Sequence, residues 1–528
     1  GPHAIRLSPD GTSLYLCAGN HSDLPELARS RAPRNWQLDN LLPRMWDAGG
    51  HAVGILAPGG WICKTDPDGR EFELISSGFR NEYDIAFNAD GELFTYDADM
   101  EWDIGSPWYR PTRVNHVTSG SEFGWRSGSG KWPSYYLDSL PSVVDIGPGC
   151  PTGINFGTGA RFPEKYQRAL FMADWSYGII YAVHMTPAGA TYRGQAERFI
   201  SAAAMQVSDM VVNPADGALY FTVGGRSTQS GLYRVTYRGQ ESVETAAKQV
   251  DAGISARTQR RRLESLHGRP GVGSVRELWP FLGHPDRFIR FAARVALEHQ
   301  PVASWRKRAF RETEPQTMLT TMVALAHNGQ ADDVEGMLKS LAKLSWDELS
   351  HSQRLDLLRC YQLIFIRLDR PGAKSAAELV TRLDAWYPAP DPDVNRELSQ
   401  LLVYLQAPSA IEKTLERLVQ SKTQQEQIHY AMVLRNVKQG WQPAQRRAYF
   451  NWFEQAAAHK GGHSFDGFIR NARNEAVAIL SNEEKKSLAD ILNRPTRVAE
   501  KPQKPRPIVK KWTVEDLLAE VQQSAGKR

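Results

Sequence analysis

Asp84-Ile85-Ala86-Phe87-Asn88-Ala89-Asp90-Gly91, followed by Leu93-Phe94, is the stretch on which the fold turns. A short apolar alternation runs into Asp-Gly and out into a second apolar alternation. Asp-Gly supplies the positive-φ positions that a tight hairpin requires, so the stretch predicts strand, turn, strand. The same shape stands at Ala4-Ile5-Arg6-Leu7-Ser8-Pro9-Asp10-Gly11 before Leu14-Tyr15-Leu16. It returns at Asp209-Met210-Val211-Val212-Asn213-Pro214-Ala215-Asp216-Gly217 before Leu219-Tyr220-Phe221. A looser copy runs from Gly153-Ile154-Asn155-Phe156 through Arg161-Phe162-Pro163 to Ala169-Leu170-Phe171-Met172-Ala173-Asp174. Irregular hairpin copies tens of residues apart are the sequence form of β-propeller blades, each of about 40–45 residues. Residues 1–238 therefore read as roughly four or five blades.

Beyond about Gly253 the period changes. Val394, Leu398, Leu401, Leu402 and Leu405 fall on one face of a helix. His284-Pro285-Asp286 ahead of Phe288–Leu297 reads as a capped amphipathic helix with proline in its first turn, and Asp391-Pro392-Asp393 repeats that opening. The expected fold class is multidomain β plus α: a β-propeller over 1–238, a linker and helical entry over 239–260, and an α-solenoid of HEAT or armadillo type over 261–495. Lys501-Pro502-Gln503-Lys504-Pro505-Arg506-Pro507 then predicts an extended linker, and Thr513 an N-cap with Asp516 at the third helical position, so 496–528 reads as linker and short helix leading to a further domain.

The charge divides the same way. The net charge of +5 splits into an acidic residues 1–240 (about 20 Lys+Arg against about 25 Asp+Glu) and a basic remainder. The basic excess is dispersed, with no stripe or motif of a nucleic-acid binder, so no nucleic-acid partner is expected. No run of about 18 apolar residues encodes a transmembrane segment. Cys17, Cys63, Cys150 and Cys360 show neither zinc spacing nor CxxCH, so they read as buried free thiols. Gly1-Pro2-His3 shows no basic n-region or apolar h-region of a signal peptide.

Tyr96-Asp97-Ala98-Asp99-Met100-Glu101-Trp102-Asp103 is the densest candidate site. If the segment stays extended, Asp97, Asp99, Glu101 and Asp103 share one face, where like charges repel unless a cation compensates. A Ca²⁺ ion would suit such oxygens; an exposed acidic loop, or pairing with Arg110 and Arg113, would equally account for them. His3 and Arg80-Asn81 each precede an inner-strand pattern, so they converge if those strands start at one mouth. There a histidine suits a general base and an arginine an oxyanion partner. Asp209 heads a third such strand, and Arg226 follows glycines that let backbone approach a ligand. Trp102, Trp108, Tyr109, Trp125 and Trp132 suit either sugar stacking or packing.

Phe79-Arg80-Asn81 before Phe87, with Gly1-Pro2-His3 before Asp10-Gly11, resembles the quinoprotein glucose/sorbosone dehydrogenase superfamily of six-bladed propellers. More closely, Tyr96–Asp103, Trp108-Tyr109-Arg110-Pro111-Thr112-Arg113, Glu122-Phe123-Gly124-Trp125-Arg126 and Gly224-Gly225-Arg226 are similar to bacterial "membrane-bound dehydrogenase domain" proteins, which join a propeller, HEAT-like repeats and a c-type haem domain. The resemblance implies blades ahead of Gly1, a haem domain beyond this chain as electron acceptor, and a periplasmic or cell-surface setting. It implies oxidation of a sugar or polyol, with His3 taking the hydroxyl proton and hydride passing to pyrroloquinoline quinone (PQQ). Arg80 and Asn81 match the quinone-contacting pair, Asp97–Met100 the loop whose backbone carbonyls hold a catalytic Ca²⁺. The chain departs near Ser176 and Gln206–Ser208, where the superfamily has basic residues for the quinone carboxylates; Arg226 is the substitute at hand. Two other readings stand beside the dehydrogenase: a non-catalytic scaffold binding glycans or protein partners, and a metal-dependent hydrolase or lactonase.

Overall fold

The computed structural model describes residues 1–226, 228–245, 252–269, 271, 275–494, 513–516 and 518. The expected linker and most of the expected terminal helix over 496–528 lie outside the described residues, as do 246–251 of the passage 239–260. Within 513–516, Thr513 N donates to Asp516 Oδ2 at 3.0 Å and Asp516 N to Thr513 Oγ1 at 3.2 Å, the reciprocal bonds of an N-cap.

Four sheets follow one another. The first holds β1 (Pro2–Leu7), β2 (Leu14–Ala18), β3 (Leu27–Ser30), β4 (Gly60–Thr65) and β5 (Phe72–Phe79), ordered β1-β2-β4-β5-β3. The second is the meander β6 (Ile85–Phe87), β7 (Leu93–Asp97), β8 (Thr112–Val117), β9 (Val144–Gly147). The third is β10 (Pro151–Phe156), β11 (Leu170–Asp174), β12 (Ile179–Ala188), β13 (Thr191–Ser201). The fourth is β14 (Val207–Val212), β15 (Leu219–Gly225), β16 (Thr228–Val235). One rung closes every first hairpin: Leu7 faces Leu14, Phe87 faces Leu93, Phe156 faces Leu170 and Val212 faces Leu219.

The Asp-Gly turns are wider than a two-residue hairpin. Gly11, Gly91 and Gly217 take φ of 71°, 76° and 66°, but the aspartates before them do not. The reason is the first loop residue: Asn88 O accepts Gly91 N at 3.0 Å while Asn88 Oδ1 accepts Asp90 N and Glu92 N, so the side chain builds the turn.

First strands lie side by side, β6 against β1 and β10, and β10 against β14. Asp84, at the head of β6, joins three of them: its carboxylate accepts from Arg6 of β1 at 2.5 and 3.1 Å and from Ile154 N of β10 at 3.0 Å. This part is β-propeller-like, with apolar layers between sheets built from Phe94, Tyr96, Ile154 and Met172, then Phe171, Val207 and Phe221. On one rung Ile85 and Ile154 are fully buried, whereas Ile5 is 63% exposed; Leu232 of the fourth sheet is 69% exposed. The outer faces of the first and fourth sheets are thus uncovered.

The remainder is helical. Helices Ile254–Glu264, Arg287–Glu298, Pro315–Asn328, His351–Arg367, Pro392–Tyr404 and Gln424–Leu434 form a row in which each packs on the next. Val394, Leu398, Leu401 and Leu402 are buried in it. Asp391 caps its helix with Pro392 at the first position, whereas Asp286 is itself the cap and Pro285 stands one residue before it, outside the expected first turn. The row is pinned to the sheets by buried ion pairs: Arg260 with Glu92 at 2.5 Å, Arg359 with Asp138 at 2.7 Å, and Arg367 with both oxygens of Asp39 at 2.6 and 2.7 Å. No helix among the described residues is long and apolar enough to cross a membrane.

Candidate functional site at the heads of the first strands

Three of the four first strands are irregular at their heads. Pro2 pairs with Ala18 and Ala4 with Cys17, leaving His3 as the extra residue of a bulge; Val207 with Val223 and Asp209 with Thr222 leave Ser208 in the same way. Pairing between β10 and β11 also shifts between Pro151 and Ile154. Bulges re-aim a side chain out of the ladder. His3 consequently leaves the sheet: its Nδ1 lies 2.8 Å from Glu82 O and its ring 5.3 Å from that of Tyr83. A carbonyl only accepts, so Nδ1 carries the proton and Nε2 keeps its lone pair. Burial holds the His3 pKa below the ordinary value, opposed by the Glu82 bond and assisted by the N-terminus and Arg80.

Arg80 and Asn81 lead into β6, and their backbone N–H groups donate to Asp97 Oδ1 at 3.0 and 2.9 Å. The Arg80 guanidinium lies 3.3 Å from Met100 Sδ through Nε and 3.3 Å from His51 Nε2 through Nη2. The Asn81 side chain rests on Gly19, where no Cβ would fit. Arg80 thus touches Met100 and His51, and His3 is held one step along the same segment by Glu82 O, with its ring packed on Tyr83.

It does not bring the carboxylates together, and the extended face expected over 97–103 is corrected here. Strand β7 ends at Asp97, and Glu101–Asp103 is a 3-10 turn. Fully buried Asp97 is taken up by two backbone N–H groups and by Arg113 at 3.4 Å. Asp99 accepts from Tyr109 Oη at 2.7 Å. Asp103 is held by Lys131 Nζ at 2.5 Å, and Glu101 faces solvent. Arg110 donates to the carbonyls of Trp132, Pro107 and Tyr109 rather than to an acid. Among the described residues no cluster of three His, Cys, Asp or Glu is placed to hold a metal ion. Side-chain oxygens of 97–103 therefore do not fit a Ca²⁺ cage.

Asp97 has a counterpart one sheet on. Leu93-Phe94-Thr95-Tyr96-Asp97 and Leu170-Phe171-Met172-Ala173-Asp174 occupy the same rungs, and Asp174 accepts from Cys150 N at 3.2 Å, Ser176 N at 2.9 Å and Tyr177 N at 3.1 Å. Each aspartate ends a second strand and anchors the segment that leads into the first strand of its own sheet. Asp209 repeats Asp84 instead: Asp209 Oδ1 accepts Met210 N at 2.7 Å as Asp84 Oδ1 accepts Ile85 N at 2.8 Å, but Asp209 is exposed. Gly153 lies so close behind Asp209 that a side chain there would collide with it. Arg226, at a φ of 48°, stands 5.1 Å over the ring of Trp175, whose Nε1 donates to Gly224 O at 3.0 Å.

Burial shapes the electrostatics. Asp99 is pushed up to about 7 by burial, against the Tyr109 hydrogen bond. Burial, then Arg80, lowers His51 to about 4, so His51 is neutral and its Nε2 accepts from Arg80. Fully buried Glu82 is raised well above the usual carboxylate range by burial and then by Asp97.

The sequence reading missed a histidine group. His51 lies 4.8 Å from the Trp102 ring and 5.3 Å from His21, and His463 of the helical part lies 6.2 Å from Trp102. Gly462 N donates to Ile104 O at 2.8 Å and Ser464 N to Trp102 O at 3.2 Å, so the helical part forms one wall of this loop. His51 stands in the irregular stretch between β3 and β4, where no periodicity marks it. Trp108, Trp125 and Trp132 are buried in packing, leaving Trp102 and Tyr109 half-buried. His116 is buried against Glu92 at 2.9 Å, and His184 pairs with Glu197 at 2.7 Å, both away from the mouth.

No protein-family model matches the chain, and no curated protein matches it. Among solved structures it is similar to proteins of the sugar dehydrogenase class. One is described as a "putative oxidoreductase (glucose dehydrogenase)" of Thermus thermophilus, at 20% identity over 44% of this chain and 63% of that one, with a TM-score of 0.30. Another is the PQQ-bound form of an aldose sugar dehydrogenase from Streptomyces coelicolor, at 14% identity over 44% of this chain and 61% of that one, also with a TM-score of 0.30. The match spans less than two thirds of the length of either neighbour.

Proposed function

We propose that the mouth at the heads of β1, β6 and β10 binds pyrroloquinoline quinone and oxidises a sugar or polyol hydroxyl. The observation that carries this reading is the His3 ring, turned out of β1 by a bulge and fixed through Nδ1 to Glu82 O, in the segment that runs from Arg80 into β6. When bound, the quinone supplies a two-electron acceptor. His3 Nε2, neutral at pH 7, takes the hydroxyl proton as a general base. Arg80 offers a planar fork of donors suited to a carboxylate, and Arg226 on Trp175 adds a second cation. Asn81 holds its place in the segment through Asp97. Tyr83 and Trp102 present ring faces to a sugar. No step is assigned to Ca²⁺: among the described residues no group of acidic side chains is placed to hold it, and the resemblance puts it on the backbone carbonyls of Asp97–Met100. Electron transfer to a c-type haem domain outside this chain, a periplasmic or cell-surface setting and a docking role for the helices belong to the same proposal.

A non-catalytic glycan-binding scaffold is the second reading, favoured by the lack of Lys or Arg at Ser176 and Gln206–Ser208. Dye reduction by the chain with added PQQ and a panel of aldoses separates the two. Turnover abolished by His3→Gln supports the dehydrogenase. Glycan binding with no PQQ-dependent turnover supports the scaffold.

A further inference from the structure

The helical part carries a second cavity, remote from the mouth. Two groups of buried side chains meet in the helical part, one running to Ala410 and the other from Ile411, with Val403 packed on both. A cavity of about 710 Å³ opens at this seam, between the loop Leu41–Pro43 and the chain around Val403, Ile411 and Val433. The cavity is open to solvent, and its lining joins apolar side chains (Leu41, Leu42, Val403, Ile411, Val433) to the neutral polar groups of Gln406, Asn436 and Gln439. The volume is that of a site for a small organic molecule, roughly 300–1,000 Å³.

The charged part of the lining has one sign. Arg370, Arg435 and Lys438 border the cavity, and among the described residues no carboxylate does. Arg435 is buried and committed to Glu475, Met432 O and Pro43 O, which fixes the wall. Arg370 lies 4.9 Å over the ring of Tyr404 at the rim, and Lys438 is exposed. A lining of apolar side chains and amides with a cationic rim matches a molecule with an apolar body and one negative end. We propose that this seam is a binding site for an amphipathic organic anion, such as an acyl or aryl carboxylate.

The probe for the test is 1-anilinonaphthalene-8-sulfonate, followed by fluorescence and by calorimetry for stoichiometry, with N-phenyl-1-naphthylamine as its uncharged counterpart. The wild-type chain is expected to bind one equivalent of the sulfonate and to release it to decanoate. Val403→Trp, which fills the cavity, removes that equivalent. Arg370→Glu with Lys438→Glu weakens the sulfonate at least tenfold and leaves the neutral probe within twofold. Leu42→Trp, on the opposite wall, replaces Val403→Trp if the latter lowers the Tm. Sulfonate binding that survives the cavity-filling variant, or that ignores the charge reversal, overturns the proposal.

Discussion

His3 Nδ1 lies 2.8 Å from the carbonyl oxygen of Glu82, so a residue displaced from β1 by a bulge is held by the segment that leads into β6. The bond decides which ring nitrogen is free, and burial decides that it is unprotonated at neutral pH. Under the proposed function, turnover falls only on the acid side of the ordinary imidazole pKa of about 6.5. The sign follows from the lowered pKa: protonation removes the base, and a lowered pKa moves that loss to lower pH. A pH profile of kcat/KM whose acid limb lies above pH 7 contradicts this assignment.

Asp97 is expected to matter for stability and not for metal. Asp97→Ala leaves Arg113 and two backbone N–H groups without their acceptor in a buried place, a change that costs about 3–5 kcal/mol. Urea denaturation measures the loss. Excess EGTA should leave the wild-type Tm unchanged; a fall of several degrees restores the side-chain calcium site rejected above.

Asp99 works in the opposite direction. Its pKa in the fold, about 7, lies above its ordinary value, so the native state binds more protons than the unfolded chain between about pH 4 and 7. Stability from this group is present at low pH and lost as pH rises through about 7. Asp99→Asn keeps an acceptor for Tyr109 and cannot ionise. It should be more stable than wild type by about 1–3 kcal/mol at pH 8 and equal to it near pH 4. Equal stabilities at both pH values contradict the buried, raised carboxyl.

The hairpins and the helical face were legible because both depend on local periodicity and turn chemistry: Gly11, Gly91 and Gly217 mark the turns, and Val394 to Leu402 mark a buried face. The acidic run left its alternatives open because the sequence does not show that strand β7 stops at Asp97, where backbone N–H groups seventeen and sixteen residues earlier, with Arg113, claim the carboxylate. Strand alternation cannot signal that long-range need. His51 and His463 were illegible for a related reason: one stands in an irregular loop, the other some 400 residues along, and only packing on Trp102 assembles them.

Sheets and helices should unfold as one unit. Arg359 lowers Asp138 to about 2 despite the opposing effect of burial, so the pair's contribution is present above about pH 4 and lost as pH falls through about 2. Differential scanning calorimetry at pH 7 is expected to show a single transition for 1–494, lowered as a whole by Asp138→Ala. Two separate transitions contradict a shared interface.

Gly462 tests the contact between the helical part and the mouth. A Cβ there would meet Glu101 O and, at 2.6 Å, the carbonyl carbon of Trp102. Gly462→Ala should displace the 101–105 loop and shift Trp102 fluorescence, with a loss of about 1–3 kcal/mol. An unchanged spectrum and Tm contradict this close approach.

The most direct test of the central claim is calorimetric titration of PQQ into this chain, with Arg80→Ala and Arg226→Ala alongside. Saturable one-site binding, weakened about tenfold or more by Arg80→Ala and less by Arg226→Ala, is the predicted result. No heat of binding up to high micromolar quinone, in wild type folded by circular dichroism, contradicts the quinoprotein reading and leaves the glycan-binding scaffold in its place.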